Sequence, residues 1–461
     1  MNKPNIVFVV CDDLGVNDLR CYGRADHVTP NLDRLAAQGT RFTSAYASQA
    51  ICSASRAGLL TGLNPARLHM TTFLPGRRNA ASQRVLHPEI AMNIPLEIKT
   101  LPRHLKEAGY ATGFVGKWHV GRDPGPSEHG FDSVYYLEEG RETTPSATEG
   151  GKAEYELTRE ALAFVESHRN GPFALYLGHY TPHIPYSAKP ELVAKRRDAF
   201  EPVYAALIET LDDTIGLMME RLDAWGLAEN TVFIFTSDNG GLHVPESTHA
   251  RVTHNTPYRA GKGYVYEGGQ RVPLIVRWPG HVPAGRVTDA PVNNIDWIPT
   301  LLDLAGAAPP PGLDGVSFAA GLQGGDWPER PLYWHFPHYT NQGGRPCGAM
   351  RDGDWMLVEH YDEDRAELYD LANDIGQQND RAAEQPERVR AMRAALAAWR
   401  REIGAQENAP NPDCREEAFR KLYVDVDPSR FDPLHADHDE WSAIQAWRTG
   451  MNQAVARRPA E

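Results

Sequence analysis

NIVFVVCDD, residues Asn5–Asp13, runs six apolar residues into two adjacent aspartates. A short apolar run rich in β-branched residues, with no polar alternation, reads as a strand covered on both faces. The same grammar returns along the chain. YATGFVG leads into Lys117-Trp118-His119, FALYLG (173–178) into HYTPHIP, and TVFIFT (231–236) into Ser237-Asp238-Asn239-Gly240; VPLIVRWPG (272–280) reads as a further strand. Between these runs lie helical segments. TPNLDRLAAQG has Thr29 as cap, Pro30 at the first helical position and Gly39 as stop, and TLPRHLKEAGY repeats this from Thr100 to Gly109. LTREALAFVESH, VYAALIETLDDTIGLMMERLDAWG and NIDWIPTLLDLAG are amphipathic helices. Alternating strands and helices predict an α/β fold, with a large, mostly parallel sheet sandwiched by helices over residues 1–325.

After Gly325 the short strands PLYWHF, GAMRDG, DWMLVEHY and AELYDL follow one another through tight turns, and the helix PERVRAMRAALAAWRREIG closes the series. Residues 326–404 are therefore expected to form a smaller α+β subdomain with an antiparallel sheet. Residues 405–461 are polar and interrupted by proline. They could wrap the body, meet another subunit or be partly disordered, and a homo-oligomer stays open.

The 461 residues carry a net charge of -14 with pI about 5.7, which argues against nucleic acid as a partner. An anionic substrate would need local cations to draw it in. The five cysteines are scattered and lack metal-finger spacing. The first residues enter a strand without the apolar core of a signal peptide, and no run approaches the roughly 20 apolar residues of a membrane span. The expectation is a cytoplasmic protein with no membrane partner.

Chemistry collects where the strands end, and in an open parallel sheet those ends line one crevice. Asp12, Asp13, Asp238 and Asn239 make an all-oxygen donor set suited to Ca²⁺, Mg²⁺ or Mn²⁺. The alternative is that Asp-Asp caps a turn and SDNG is only a loop. Lys117 and His119 can share one side of an extended segment if Trp118 takes the other. Lys262 lies in the glycine-rich RAGKGYVYEGGQR, and His179 and His183 follow a strand. In ICSASRAGLLTG (51–62), Ser53 or Ser55 would cap a helix stopped by Gly62, with residue 52 just before its N-terminus, where anions are favoured. Arg56 beside Cys52 would suit a catalytic thiolate. Arg56, Lys117 and Lys262 balance the three aspartates, so a divalent metal would leave a net positive site fit for a tetrahedral oxyanion.

Taken in order, these motifs resemble the type I sulfatases of the alkaline phosphatase superfamily. Cys52-Ser53-Ala54-Ser55-Arg56 followed by Ala57-Gly58-Leu59-Leu60-Thr61-Gly62 is similar to their signature, although Ala54 stands where the family more often has proline. Asp12-Asp13, Gly116-Lys117-Trp118-His119, Pro182-His183-x-Pro185, Ser237-Asp238-Asn239-Gly240, Lys262 before Tyr266-Glu267-Gly268-Gly269, and Glu367-Leu368-Tyr369-Asp370-Leu371 extend the likeness to about residue 400.

The resemblance implies an alkaline-phosphatase-like fold and a sulfuric ester hydrolase. It implies that a maturation enzyme oxidises Cys52 to formylglycine, whose hydrate attacks sulfur. It assigns Asp12, Asp13, Asp238, Asn239 and residue 52 to a metal, usually Ca²⁺, and Arg56 and Lys117 to the formylglycine. His119 becomes the base that breaks the sulfated intermediate, while His183 and Lys262 grip sulfate and help protonate the leaving oxygen. The substrate would be a small sulfate ester. LYWHFPHYTNQGGRPCGAMRDGDW (332–355) resembles a subset acting on sulfated sugars and aryl sulfates. There His335, His338, Asn341, Gln342 and Arg345 either line the pocket mouth or form a satisfied interdomain loop; HVPESTHARVTHNTPYR (243–259) is a second candidate rim. A phosphonate monoester or phosphodiester hydrolase on the same scaffold is the rival reading. A non-catalytic anion-binding protein that keeps Cys52 as a thiol is the third.

Overall fold

The computed structural model describes residues 3–138, 140–246 and 251–456. Among them, eight strands form one sheet: β1 (Asn5–Asp12), β2 (Thr40–Phe42), β3 (Ala111–Gly116), β4 (Ser133–Tyr135), β5 (Phe173–Pro182), β6 (Thr231–Ser237), β7 (Leu274–Arg277) and β8 (Arg286–Thr288). Their order is β8-β2-β7-β6-β1-β5-β3-β4. β1 is central and parallel to β5 and β6; β7 alone runs antiparallel to its neighbours, β2 and β6. This is the mostly parallel sheet the apolar runs predict.

The helices are α1 (Pro30–Ala37), α2 (Cys52–Thr61), α3 (Leu101–Glu107), α4 (Glu154–His168), α5 (Pro202–Ala224) and α6 (Trp297–Leu304). β1 explains the two layers. Val7, Val9 and Cys11 enter one core with α4 and α5, through Leu157, Leu207 and Leu211. Ile6, Phe8 and Val10 enter the other with α2, α3 and α6, through Leu59, Leu101 and Trp297. Successive side chains of a strand point to opposite faces, so a strand apolar at every position must be covered twice.

Both threonine caps need correction: Thr100 makes no side-chain cap on α3, its hydroxyl donating instead to the His129 carbonyl at 2.6 Å. Thr29 does not cap α1 with its side chain; its hydroxyl accepts from the Arg20 amide instead. Gly39 does follow the end of α1, which Gln38 closes, but without a left-handed backbone. Gly39 is small for another reason: a Cβ there would sit 2.3 Å from the Val276 carbonyl oxygen.

The antiparallel sheet follows as β9 (Leu332–Phe336), β10 (Cys347–Asp352), β11 (Trp355–His360) and β12 (Arg365–Asp370). α7 (Pro386–Glu402) packs Met392 and Leu396 against Met350, Leu357 and Leu368 on one face. The other face, with Trp334, Ala349 and Val358, shares a core with Tyr46, Ile51 and Ala54. The subdomain thus presses on the segment that carries Cys52.

The described part of the C-terminal stretch packs on the body. Phe419 and Tyr423 of α8 (Glu416–Tyr423), with Ile444, Trp447 and Met451 of α9 (His438–Ala456), join the core that holds Val7 and Val9. Residues 457–461 lie outside the described residues. Among the described residues, no helix is long and apolar enough to cross a membrane.

Candidate active site

α2 begins on Cys52 itself, with Ile51 in extended conformation as its cap residue, and ends at Gly62 with φ +67°. The expected serine cap is not formed. Ser53 Oγ accepts from the Leu74 amide at 3.1 Å, and Ser55 Oγ accepts from Asn294 Nδ2 at 2.7 Å. Both serines fasten the helix to neighbouring loops, so Cys52 is held at the head of a wholly buried helix.

β1 delivers Asp12 and Asp13 beside it. The pairing with β5 breaks register between Val10 and Asp12, and Asp13 takes φ +65°. β6 delivers Asp238, whose Oδ1 accepts from the Asp13 amide at 3.2 Å. Arg56, one helical turn from Cys52 and fully buried, donates Nε to Asp238 Oδ2 at 2.7 Å and Nη1 to the Lys117 carbonyl at 3.0 Å. Its Nη2 stands 3.9 Å from Asp12 Oδ1. Lys117 Nζ donates to Asp12 Oδ2. Lys262 Nζ donates to Asp13 Oδ2 at 2.7 Å, and Asn239 Nδ2 donates to Asp13 Oδ1 at 2.8 Å. The lysine loop is pinned by the Gly263 amide donating to the carbonyl of Ala50, two residues before Cys52.

β3 ends at Gly116, so Lys117-Trp118-His119 is not extended as expected: His119 has φ +60°. Trp118 nevertheless turns into the core, 5.5 Å from the Phe114 ring. His119 Nδ1 is buried and has no hydrogen-bond partner among the described residues. Burial, then Lys117, hold this imidazole well below its ordinary pKa, so it is a neutral proton acceptor. His183 donates Nδ1 to the Ile184 carbonyl at 2.6 Å and turns Nε2 to within 3.6 Å of Asp13 Oδ2. Burial, then Lys262, pull it down to about 4. His179 stays apart: burial alone lowers it to about 4, and neither ring nitrogen has a described partner.

The donor set fits a hard cation. A ligand atom from each of Asp12, Cys52 and Asp238 lies within 4.8 Å of the others, and Asp12, Asp13 and His183 form a second such group. Asp12 Oδ1 and Asn239 Oδ1 are buried without hydrogen-bond partners among the described residues. Burial also raises the Asp238 carboxyl to about 6 despite Arg56, as expected where positive charge is still short. Asp12 is held well below the carboxylate range: burial would raise it, but Lys117, His183, Arg56 and Lys262 outweigh that. Cys52 runs against the thiolate reading. Burial pushes its thiol up to about 11, beyond what Lys117 and Lys262 offset.

The expected rim divides. His335 is buried with both ring nitrogens engaged, Nδ1 by the Tyr361 hydroxyl at 2.9 Å and Nε2 by the Gln406 carbonyl at 2.7 Å. Arg345 grips Asp362 at 2.8 and 2.9 Å and lines a separate cavity of about 270 Å³. His335 thus ties β9 to the C-terminal stretch, and Arg345 is paired within the subdomain. His338 shares a hydrogen bond with Thr71 Oγ1 at 2.7 Å. Gln342 and Asn341 stay near the Lys262 loop: a Cβ on Gly263 would lie 2.8 Å from Gln342 Oε1. In the second rim, residues 247–250 lie outside the described residues, and Glu246 bonds Gln342 Nε2 at 2.7 Å.

Sequence reading passed over Lys152. It is buried, donates Nζ to the Glu142 carbonyl at 3.0 Å, and burial lowers it to about 8 although Asp12 opposes this. Gly150-Gly151-Lys152 repeats the glycine-lysine pattern of Gly261-Lys262, and that was the available signal.

A parallel sheet whose strand ends gather carboxylates, lysines and a helix-borne arginine around one small side chain defines an alkaline-phosphatase-like hydrolase. Within that class, the chain belongs to the sulfatase family, a family of sulfuric ester hydrolases: the Sulfatase model matches residues 4–307. The N-sulphoglucosamine sulphohydrolase C-terminal model matches residues 260–401. The chain is 35% identical to N-acetylgalactosamine-6-sulfatase of Homo sapiens over 367 residues, covering 72% of this chain and 68% of the relative. It is 30% identical to N-acetylgalactosamine-6-O-sulfatase of Bacteroides thetaiotaomicron, covering 86% and 92%. The solved structure of Ps i-CgsB in complex with k-i-k-neocarrahexaose superposes with a TM-score of 0.75 at 28% identity, covering 97% of this chain and all of that one.

Proposed function

We propose that the protein hydrolyses sulfate monoesters of sugars or aryl alcohols, with residue 52 as nucleophile after oxidation of Cys52 to formylglycine by a maturation enzyme. The carrying observation is Cys52 at the head of α2, within ligand reach of Asp12 and Asp238 and close to Arg56, Lys117 and Lys262. Asp12, Asp13, Asp238, Asn239 and residue 52 would hold a divalent cation, most simply Ca²⁺, which when bound would supply positive charge for a developing oxyanion. Arg56 and Lys117 keep residue 52 and the carboxylates in place. Neutral His119, near Lys117 and Asp12, accepts a proton. Lys262 stays charged, because Asp13 outweighs its burial, and so binds a sulfate oxygen. His183 is neutral in the free protein; the negative charge of a bound ester raises its pKa and lets it donate to the leaving oxygen.

The test pairs two measurements. The mass of the peptide containing residue 52 from a maturation-competent host should read oxygen in place of sulfur together with the loss of two hydrogens, as an aldehyde requires and a serine would not show. The same sample should cleave 4-nitrophenyl sulfate, and lose that activity to a chelator. An unmodified thiol in fully active protein sinks the mechanism. A phosphonate hydrolase would use the same charges on a phosphorus ester, so faster turnover of an aryl phosphonate than of the matching sulfate would favour that reading.

A further inference from the structure

The C-terminal helix α9 brings a second cationic group to the rim that Lys262 occupies. Arg448 Nη1 donates to the Asn341 carbonyl, and Nη2 lies 3.6 Å from Glu246 Oε1. Glu246 and Gln342 are the pair already placed against the Lys262 loop, and Lys262 feels the Glu246 charge. Arg77 joins from the other side. Its Nη1 donates to the Thr340 carbonyl at 2.8 Å and to the Tyr423 hydroxyl at 3.0 Å. It lies three residues after Leu74, whose amide is fixed by Ser53, the neighbour of Cys52.

Of the two guanidinium groups, Arg448 alone faces a carboxylate, that of Glu246. Burial lowers the Arg448 guanidinium, Glu246 opposes this, and Arg77 adds to the lowering, so the two cations sense each other. Arg77 Nε and Nη2 and Arg448 Nε are buried and have no hydrogen-bond partner among the described residues. Leaving buried donors without a partner is costly, so a cluster of them marks a place for an acceptor. A carboxylate or sulfate matches guanidinium geometry in two-point bonding. Arg448 lies beyond the residues matched by either family model.

We propose that Arg77 and Arg448 form a subsite for a second anionic group, a carboxylate or sulfate carried by the sugar next to the ester that is cleaved. Gln342 and Glu246 hold Arg448 in place for it. The proposal rests on the sulfatase reading above and deepens it to doubly charged sugars.

The experiment measures kcat/KM of the matured protein on 4-nitrophenyl sulfate, N-acetylgalactosamine 6-sulfate, its 4,6-disulfate, and a disaccharide that adds a uronate to the 6-sulfate. Arg448→Gln and Arg77→Gln should each lower kcat/KM on a doubly charged sugar about 10–100-fold more than on the singly charged ones. Arg448→Lys should recover part of that gap. Loss on the disulfate assigns sulfate and loss on the uronate assigns carboxylate; either supports the subsite. Equal losses on all substrates in variants with wild-type melting temperatures, or no extra loss on both doubly charged sugars, overturn it. If the parent protein cleaves no sulfate ester, the sulfatase reading fails instead. Calorimetric binding of the disulfate and monosulfate to Cys52→Ala protein then decides the subsite: tighter binding of the disulfate that Arg448→Gln erases supports it, and equal binding overturns it.

Discussion

Two buried carboxylates, Asp238 at the end of β6 and Glu367 in β12, have opposite fates. Glu367 is met on both oxygens: Oε1 by Arg365 and by His360 at 3.3 Å, and Oε2 by the Tyr266 and Tyr369 hydroxyls at 2.8 and 2.7 Å and Arg259 at 3.5 Å. Burial would raise its pKa, but His360 and then Arg259 hold it well below the carboxylate range. Asp238 has Arg56 and the Asp13 amide, yet burial leaves it raised, with Asp12 adding to the cost. The subdomain cluster satisfies its charge from within. The strand-end cluster does not, and such an imbalance marks a functional site.

The comparison can be tested at decreasing scale. Cys52→Ala should remove turnover by at least about 10⁴-fold while leaving the melting temperature near wild type; comparable residual activity would disprove the nucleophile. Next, His119→Ala and His183→Ala should each cost roughly 10²–10⁴-fold. His119→Ala should retain one sulfate on residue 52 after a small burst of alcohol, seen by intact mass. His183→Ala should hurt sugar sulfates far more than nitrophenyl sulfate, whose leaving group barely needs a proton. Matching losses on both substrates without trapped sulfate would mean the two roles are misassigned.

Stability separates the clusters directly. Glu367→Gln breaks a satisfied network and should destabilise the fold by about 3–5 kcal/mol, read by denaturant unfolding, while calcium still raises the melting temperature. Asp238→Asn should do the reverse, with a tolerated fold and a lost calcium response. A calcium response that survives Asp238→Asn would remove Asp238 from the metal site.

The smallest effect is a pH signature. Glu363 is lowered to about 2: burial would raise it, but Arg365 and Arg345 prevail. A depressed carboxylate stabilises the fold above its unfolded value near 4.3, and that contribution fades as pH falls towards 2. Glu363→Gln should therefore flatten the acid limb of the stability curve slightly; an unchanged limb would show the pairing to be idle.

Much of this was legible in the residues. β1, β5 and β6 were visible because a strand covered twice must be apolar at every position, and the site was visible because polar residues follow such strands directly. Orientation was less visible: nothing in VPLIVRWPG distinguishes the antiparallel β7 from its parallel neighbours. Ser53 and Ser55 fit a cap by local rule, but tertiary partners, Leu74 and Asn294, claimed their hydroxyls. His335 and Arg345 could be read two ways because a polar residue looks the same in sequence whether its partner is a substrate or another part of the chain, here Gln406 and Asp362. Lys152 stood only in a short glycine-lysine echo of Gly261-Lys262, and Arg77 and Arg448 stood in no motif; only folding brings Arg77 and Arg448 together.

The burial of Cys52 has a consequence in time. Its side chain lies at the head of a helix closed over by the subdomain core that includes Ile51 and Ala54, and it is 2% exposed. A catalyst that must grasp the CSASR segment in extended form has no access once that core has assembled. The proposed oxidation thus belongs to the growing or still unfolded chain, and each molecule's competence is settled before it folds. A preparation made with too little maturation enzyme would be a mixture of active and permanently silent copies of the same shape, and later addition of the enzyme to folded protein would not rescue the silent ones.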